Sequence, residues 1–241
     1  MKAIFLTARL KSTRLKRKVL LEVDGIPIIQ YLTQRLESNT NIKVIICTST
    51  NKQDDDLVYF AKEKSIDYYR GSENNVLDRY YQAALKFNID MFYIIYGDEP
   101  FIDVELMLKT FEMMNGINSQ FIDNSNYIDG TFGYGMTFKA VQCAIINHKS
   151  EDLEVWGEYI KSLPCVKTII NEQSCQDVRL TIDYEEDFRV FKKIIAILGE
   201  GYMNCPVEAV VDIYLRNNFD KINGHRMDEY SKRIEEQGGW K

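Results

Sequence analysis

Three short apolar runs, each followed by a longer amphipathic one, set what the first half of this chain can fold into. They are residues 3–6 then 28–36, 44–47 then 57–64, and 92–96 then 104–114. An unbroken apolar run of four or five residues suits a strand buried on both faces, and the helical period that follows suits a covering helix. Repeated, the pattern makes βαβ units and a mostly parallel sheet, an α/β Rossmann-like three-layer fold. Ligands of such sheets lie beyond the carboxyl ends of the strands, so the chemistry should be read at residues 7–18, 48–51 and 97–100.

From about residue 121 to 170 the periodicity loosens, with Asp129-Gly130, Gly133 and Gly135 as turn signals around short aromatic runs. This part reads as a small insertion over the sheet edge. Regularity returns with an expected strand at 178–182 and a helix at 185–198, whose Glu185, Glu186 and Asp187 complement the helix dipole. A last helix is expected near 206–216. No composition break demands a second unit, so residues 1–241 are expected to form one domain.

The net charge of −6 gives no global field to attract nucleic acid or an anionic membrane, so a phosphate ligand needs a local basic cluster. The cysteines Cys47, Cys143, Cys165, Cys175 and Cys205 are scattered, without C-x-x-C or nearby histidine pairs. That argues against zinc and for reduced thiols. The apolar run 2–6 is too short for a secretory signal, and no run of about 18 apolar residues occurs. A cytoplasmic protein with nothing crossing a membrane is expected.

The basic cluster exists. Arg9, Lys11, Arg14, Lys16, Arg17 and Lys18, interleaved with Ser12 and Thr13, follow the first strand directly. Such a loop suits a triphosphate, because arginine binds two oxygens at once and lysine acts as a point charge. No G-x-x-x-x-G-K-[ST] is present, so it is not a Walker loop. In Tyr96-Gly97-Asp98-Glu99-Pro100 an apolar run ends in carboxylates, and Arg179-Leu180-Thr181-Ile182-Asp183 places another acid after an expected strand. Two carboxylates beside a phosphate loop describe a metal-assisted phosphoryl site.

Taken in order, five segments carry a resemblance. They are Thr7-Ala8-Arg9-Leu10-Lys11-Ser12-Thr13-Arg14-Leu15 to Lys18, then Thr48-Ser49-Thr50-Asn51, then Arg70-Gly71-Ser72 through Val76-Leu77-Asp78-Arg79-Tyr80, then Gly97-Asp98-Glu99-Pro100, and Arg179 to Asp183 through Glu186-Asp187. Together they resemble the spore-coat polysaccharide cytidylyltransferases and the related CMP-Kdo and CMP-sialic acid synthetases, over residues 3 to about 198. The resemblance implies a nucleotidyltransferase fold and transfer of CMP from CTP to a small acceptor with release of pyrophosphate. It implies phosphate binding by Arg9, Ser12, Arg14 and Lys18, with backbone contacts from Ala8, and catalytic roles for Arg9, Arg14, Lys18 and Asp98. Thr48, Asn74, Asn75 and Arg79 match positions of the base and ribose pocket, and Asp98 and Asp183 match ligands of Mg²⁺. A homodimer is implied as well, with residues 121–175 as the acceptor or dimerisation segment.

Residues 130–156 lack the arginine-glutamate-histidine pattern of many spore-coat relatives and the histidine motif of the Kdo enzymes, so the resemblance identifies the donor and not the acceptor, a sugar acid or a phosphorylated metabolite. The alternative is a nucleotide-sugar-binding glycosyltransferase or non-catalytic protein of the same fold, although Asp98-Glu99 is not a D-x-D pair. Other features read as structural. Asp54-Asp55-Asp56 suits the start of a helix. His148 and His225 have no partners at ligand spacing, Tyr68-Tyr69 and Tyr80-Tyr81 suit packing, and Glu151, Asp152, Glu154 and Glu158 suit a wet helical face.

Overall fold

The computed structural model describes residues 1–116, 120–148, 156–171, 178–227 and 229. Each apolar run of the first half is a strand: β1 (Lys2–Thr7), β4 (Lys43–Ser49) and β6 (Met91–Tyr96). The amphipathic runs that follow are the helices α1 (Ile28–Asn39), α2 (Asp55–Glu63) and α4 (Val104–Met114). Between β1 and α1 a small hairpin forms from β2 (Glu22–Val23) and β3 (Ile26–Pro27). Its turn residues Asp24 and Gly25 both have positive φ, 53° and 75°, the geometry an Asp-Gly pair favours in a two-residue hairpin. A further strand β5 (Asp67–Gly71) and helix α3 (Val76–Phe87) complete the first half.

Residues 120–170 correct the expectation of an insertion lying over the sheet. They extend it, with β7 (Gln120–Asp123), β8 (Tyr134–Thr137) and β9 (Lys167–Ile170), and add α5 (Phe138–Asn147) and α6 (Gly157–Ser162) to one face. Among the described residues the strand order is β5-β4-β1-β6-β8-β7-β9. β8 runs antiparallel to both of its neighbours, and the remaining pairings are parallel. The carboxyl ends of β1, β4, β6 and β7 therefore share one edge.

Alternate residues of the strands feed two cores, as the two-residue period of a strand requires. Phe5, Cys47, Phe92 and Phe121 pack with Tyr80, Val141 and Trp156 on the face of α3, α5 and α6. Ile4, Leu6, Ile46, Ile95 and Ile122 pack with Leu32, Phe60 and Phe111 on the face of α1, α2 and α4. Burying such a side chain fully contributes about 1.5–3 kcal/mol, which is why runs with no polar residue persist in the strands.

A third cluster joins α1 and the hairpin to α7 (Glu185–Leu198) and α8 (Val207–Arg216), through Tyr31, Phe191, Tyr202 and Tyr214. Arg35 of α1 fastens it, donating to the carbonyls of Ile102, Tyr202 and Cys205 at 2.9, 3.0 and 2.8 Å. The short α9 (Asp220–Asn223) follows.

Two expectations need correction here. Residues 178–182 are not a strand of the sheet: Arg179 makes a single parallel bridge to Asp129 and the segment otherwise runs as an extended loop. Its apolar residues Val178, Leu180 and Ile182 are buried in the third cluster, which accounts for the strand-like alternation. The expectation of reduced thiols fails for Cys143 and Cys165, which form a disulfide with Cα atoms 6.5 Å apart. Cys47 and Cys205 are free and buried, and Cys175 lies outside the described residues.

The loop between β7 and β8 lies directly against this extended segment. Leu180 N–H donates to Asp129 O at 2.9 Å, and Gly130 has φ +88° with no room for a side chain. A Cβ there would lie 2.1 Å from Thr181 N and 2.3 Å from Leu180 C. Gly130→Ala should therefore cost about 3 kcal/mol in a urea unfolding experiment, from overpacking and left-handed backbone strain combined. A variant as stable as the wild type would refute this account of how residues 178–183 are held.

Candidate active site

The basic loop leaves the carboxyl end of β1 and is tied down at its start. Ala8 N–H donates to Cys47 O, and Leu10 N–H donates to Asp54 Oδ1 at 2.7 Å. The other oxygen of Asp54 accepts from the Ser49 hydroxyl, and the residue is fully buried. This corrects the capping assignment of Asp54, whose side chain anchors the basic loop to β4; Asp55 and Asp56 do stand in the first turn of α2. Arg9 donates to Glu73 O at 3.0 Å, and Lys11 pairs with the Glu73 carboxylate at 3.2 Å. Burial pushes the Glu73 carboxyl up, but the Asn51 amide and Lys11 outweigh it and hold the group below its ordinary value. Ser12 Oγ accepts from Leu15 N–H at 3.3 Å, shaping the turn that carries Arg14. Lys16 and Arg17 are exposed, and Arg17 pairs with Asp56 at 2.6 Å.

The loop returns to the sheet in a 3₁₀ turn, Lys18–Leu20, and here three distant segments meet. Lys18 Nζ donates to Asp98, which follows β6, and to Asp183 Oδ1 at 2.7 Å. Arg14 donates to the same Asp183 oxygen. Gly97 permits the approach of β6 to the loop: its N–H donates to Thr7 O at 2.9 Å, and a Cβ there would sit 3.1 Å from the Ala8 Cβ. Ile182 N–H donates to Asp98 O at 2.9 Å, fastening the two acidic segments to each other through the backbone.

Burial alone would push the Lys18 ammonium down, but Asp98 and Asp183 outweigh it and raise its pKa. Burial likewise works against the Asp183 carboxylate, and Lys18 and Arg14 reverse that, holding it well below the usual carboxylate range.

Behind Asp183 stands a residue whose role the sequence does not announce. Arg179 is fully buried and bonds Asp187 at 3.0 and 3.2 Å, Asp129 at 2.9 Å and Asp183 at 3.3 Å. Asp187 also accepts from the backbone N–H groups of Asp183 and Tyr184, both at 3.0 Å, so it serves the bend before α7 as well as the helix dipole. Asp129 is pushed up to about 6, by burial and by Asp183, Asp187 and Asp98, against the pull of Arg179. Glu99 is buried beside Asp98 and raised well above its ordinary value by burial first and that neighbouring charge second.

The remaining expected residues fall at the start of α3 and the end of β4. Asn74 is exposed, and Asn75 caps α3 by accepting from Asp78 N–H at 2.9 Å. Thr48 and Arg79 are fully buried, and Thr48 Oγ1, Arg79 Nε and Arg79 Nη2 make no hydrogen bond. Tyr80 is core, with its hydroxyl 2.7 Å from Thr7 Oγ1. His148 packs on the Tyr159 ring at 5.0 Å, and His225 is exposed. Glu158 pairs with Lys161, while Glu151, Asp152 and Glu154 lie outside the described residues.

Asp98 and Asp183 both reach one ammonium nitrogen, so their carboxylates stand within the span of a single cation. Two hard oxygen donors suit a divalent ion that keeps waters and phosphate oxygens for its remaining positions. Among the described residues no group of three or more His, Cys, Asp or Glu side chains could hold a metal unaided. No helix of the described residues is long and apolar enough to cross a membrane.

Residues 3–155 match the family model described as Cytidylyltransferase. An uncharacterized protein of Methanocaldococcus jannaschii is 28% identical over 237 residues, covering 95% of this chain and 97% of its own. The spore coat polysaccharide biosynthesis protein SpsF of Bacillus subtilis is 26% identical, covering 80% of this chain and 85% of its own. A 3-deoxy-manno-octulosonate cytidylyltransferase of Lawsonia intracellularis is 31% identical over 47% of this chain and 45% of its own. Among solved structures, a cytidylyltransferase from Leptospira borgpetersenii superposes with a TM-score of 0.80 at 23% identity, over 90% of this chain and 94% of that one.

Replacing Arg179 by Met should destabilise the fold by about 3–5 kcal/mol at pH 7, because three carboxylates lose a buried cation at once. The sign of its pH dependence follows from the pairing. Without Arg179 the folded-state carboxyl pKa values rise, so the variant's deficit should be largest at neutral pH and shrink as pH falls through the carboxylate range. Unfolding curves at pH 7 and pH 4.5 test this, and a deficit that grew toward acid would contradict it.

Proposed function

This chain belongs to the cytidylyltransferase family of CTP-dependent nucleotidyltransferases, and from that premise we propose that it moves CMP from CTP to a small acceptor with release of pyrophosphate, with Mg²⁺ as the working ion. The observation that carries the reading is the convergence of Asp98 and Asp183 on Lys18, with Arg14 on the same Asp183 oxygen, at the mouth of the basic loop.

In this reading Arg14 and Lys18 meet the phosphates. Each now rests on a carboxylate, and a triphosphate with its bound cation offers every charged group of the cluster a partner of the right sign. The exchange leaves no buried charge unpaired, which is what makes it affordable. Arg9, held from behind by Glu73, and Ser12 are assigned to the same ligand, with Ala8 contributing backbone contacts to it. Asn74, Asn75, Thr48 and Arg79 are assigned to the base and ribose, and Thr48 Oγ1 and the Nε and Nη2 of Arg79 are buried groups without a hydrogen bond.

When bound, the metal compensates the charge that builds on the α-phosphate and the leaving pyrophosphate. The chain's own residues orient and neutralise: Lys18 and Arg14 stabilise developing charge on the leaving group, and the sheet edge aligns the acceptor oxygen for in-line attack. No covalent protein nucleophile is required.

The acceptor proposed is a sugar acid or a phosphorylated metabolite, for surface polysaccharide or glycoconjugate synthesis. A relative named for spore coat polysaccharide biosynthesis and another named as a 3-deoxy-manno-octulosonate cytidylyltransferase support that class. Residues 121–175 are the proposed acceptor and dimerisation segment of a single domain in a cytoplasmic homodimer.

Thermal denaturation with each of the four NTPs and Mg²⁺ tests the donor, and pyrophosphate release from CTP against sugar acids and phosphorylated metabolites tests the reaction. CTP should stabilise most, and Asp98→Asn should lower turnover at least about 100-fold. Stabilisation by UTP or GTP alone, or full activity of Asp98→Asn, would overturn the reading.

A further inference from the structure

Tyr184 follows Asp183 directly and stands at the N-cap of α7. Three guanidinium groups lie within cation–π reach of its ring: Arg226 at 4.4 Å, Arg14 at 5.4 Å and Arg179 at 5.8 Å. They come from three separate parts of the chain. Arg179 is committed to its three carboxylates. Arg226, past α9, pairs with Glu186 of α7 at 3.0 Å and with Glu229 at 2.6 Å. Arg14 belongs to the basic loop.

Arg14 needs such a support more than the others do. It sits in a turn shaped by the Ser12 hydroxyl, outside any helix or strand, and its guanidinium is oriented by one bond to Asp183. Its Nε is buried without a hydrogen bond, as is Nε of Arg226. An aromatic face offsets part of that lost hydration without demanding hydrogen-bond geometry. The Asp183 carboxylate is the partner Arg14 gives up when a triphosphate and its cation enter, and the ring is what remains.

We infer that Tyr184 is a positioning residue for Arg14, that Arg226 holds Tyr184 in place from the C-terminal segment, and that the triphosphate site therefore extends to residues beyond α9. The inference rests on the proposed CTP reading. It assigns a role to a part of the chain that the matched residues 3–155 do not reach.

Calorimetric titration of the full chain with CTP and Mg²⁺, paired with steady-state kinetics, tests it. Tyr184→Leu should weaken CTP binding about three- to tenfold and raise KM by a similar factor, and should also lower kcat about three- to tenfold, because the Arg14 it orients acts on the leaving group. Tyr184→Phe, which keeps the ring, should restore affinity to within about twofold of the wild type. Arg226→Met should weaken binding about two- to threefold at a nearly unchanged melting temperature. Should Tyr184→Leu fail to fold, the Phe and Arg226 variants carry the test. Wild type that binds CTP together with Tyr184→Leu or Arg226→Met of equal affinity overturns the inference alone, as does a Tyr184→Phe variant no better than Leu. A wild type that binds no CTP overturns the functional reading beneath it.

Discussion

Arg179 has no exposed surface and donates to three carboxylates, and the positions of Asp129, Asp183 and Asp187, and through Asp183 those of Lys18 and Arg14, follow from that arrangement. A buried guanidinium is tolerable only when its charge is met, and a buried carboxylate likewise. Asp187 fixes the start of α7, Asp129 fixes the loop before β8, and Asp183 is drawn to the point where Lys18 and Arg14 can reach it. From there the signs alternate outward: Arg179 to Asp183, Asp183 to Lys18 and Arg14, Lys18 to Asp98.

The chain of pairs is not quite balanced. Asp98, Asp129, Asp183 and Asp187 face Arg14, Lys18 and Arg179, with Glu99 buried alongside. Burial is the larger cause of the upward shifts of Asp129, to about 6, and of Glu99, well above its ordinary value, and the neighbouring carboxylates add to it, while Asp183, against the same burial, is held low by Lys18 and Arg14. In the proposed reading, a ligand that brings both phosphate and a metal ion would meet both the surplus acid and the cations Arg14 and Lys18.

Much of this was legible in the sequence, and what was not has physical causes. The strands β1, β4 and β6 read directly because each holds an unbroken apolar stretch buried on both faces. Asp98 and Asp183 could be paired as candidates because each ends an apolar stretch. Yet residues 178–182 alternate like a strand and are an extended loop, since burial against α7 and α8 imposes the same pattern that a sheet would. Residues 120–137 hide two strands because Gly133 and Gly135 sit where other side chains approach too closely for a Cβ. Asp54 and Asp187 carried readable local signals at helix starts, but Asp54 anchors the backbone of Leu10, distant in sequence, and Asp187 meets Arg179 and Asn223, which only the fold brings to it. Asp24-Gly25 was a usable hairpin signal that the periodicity argument passed over.

The contrast between the two sides of the sheet edge explains why the donor is easier to read than the acceptor. The residues proposed for the donor stand where β1, β4 and β6 run parallel and each strand delivers a loop to the same edge, so short motifs map onto a fixed geometry. Beyond β6 the antiparallel β8 breaks that regularity, and the next carboxyl end on the edge belongs to β7. There Asp123 is buried against Lys161 of α6 at 2.6 Å, and Lys161 also reaches Glu158 at 2.9 Å. This ion cluster depends on how β7, α6 and β9 are connected, and not on a motif after a strand. A change in that connection would remodel the far side of the edge while leaving Lys18, Asp98 and Asp183 in place, so in the proposed reading the donor site can be kept while the acceptor side changes.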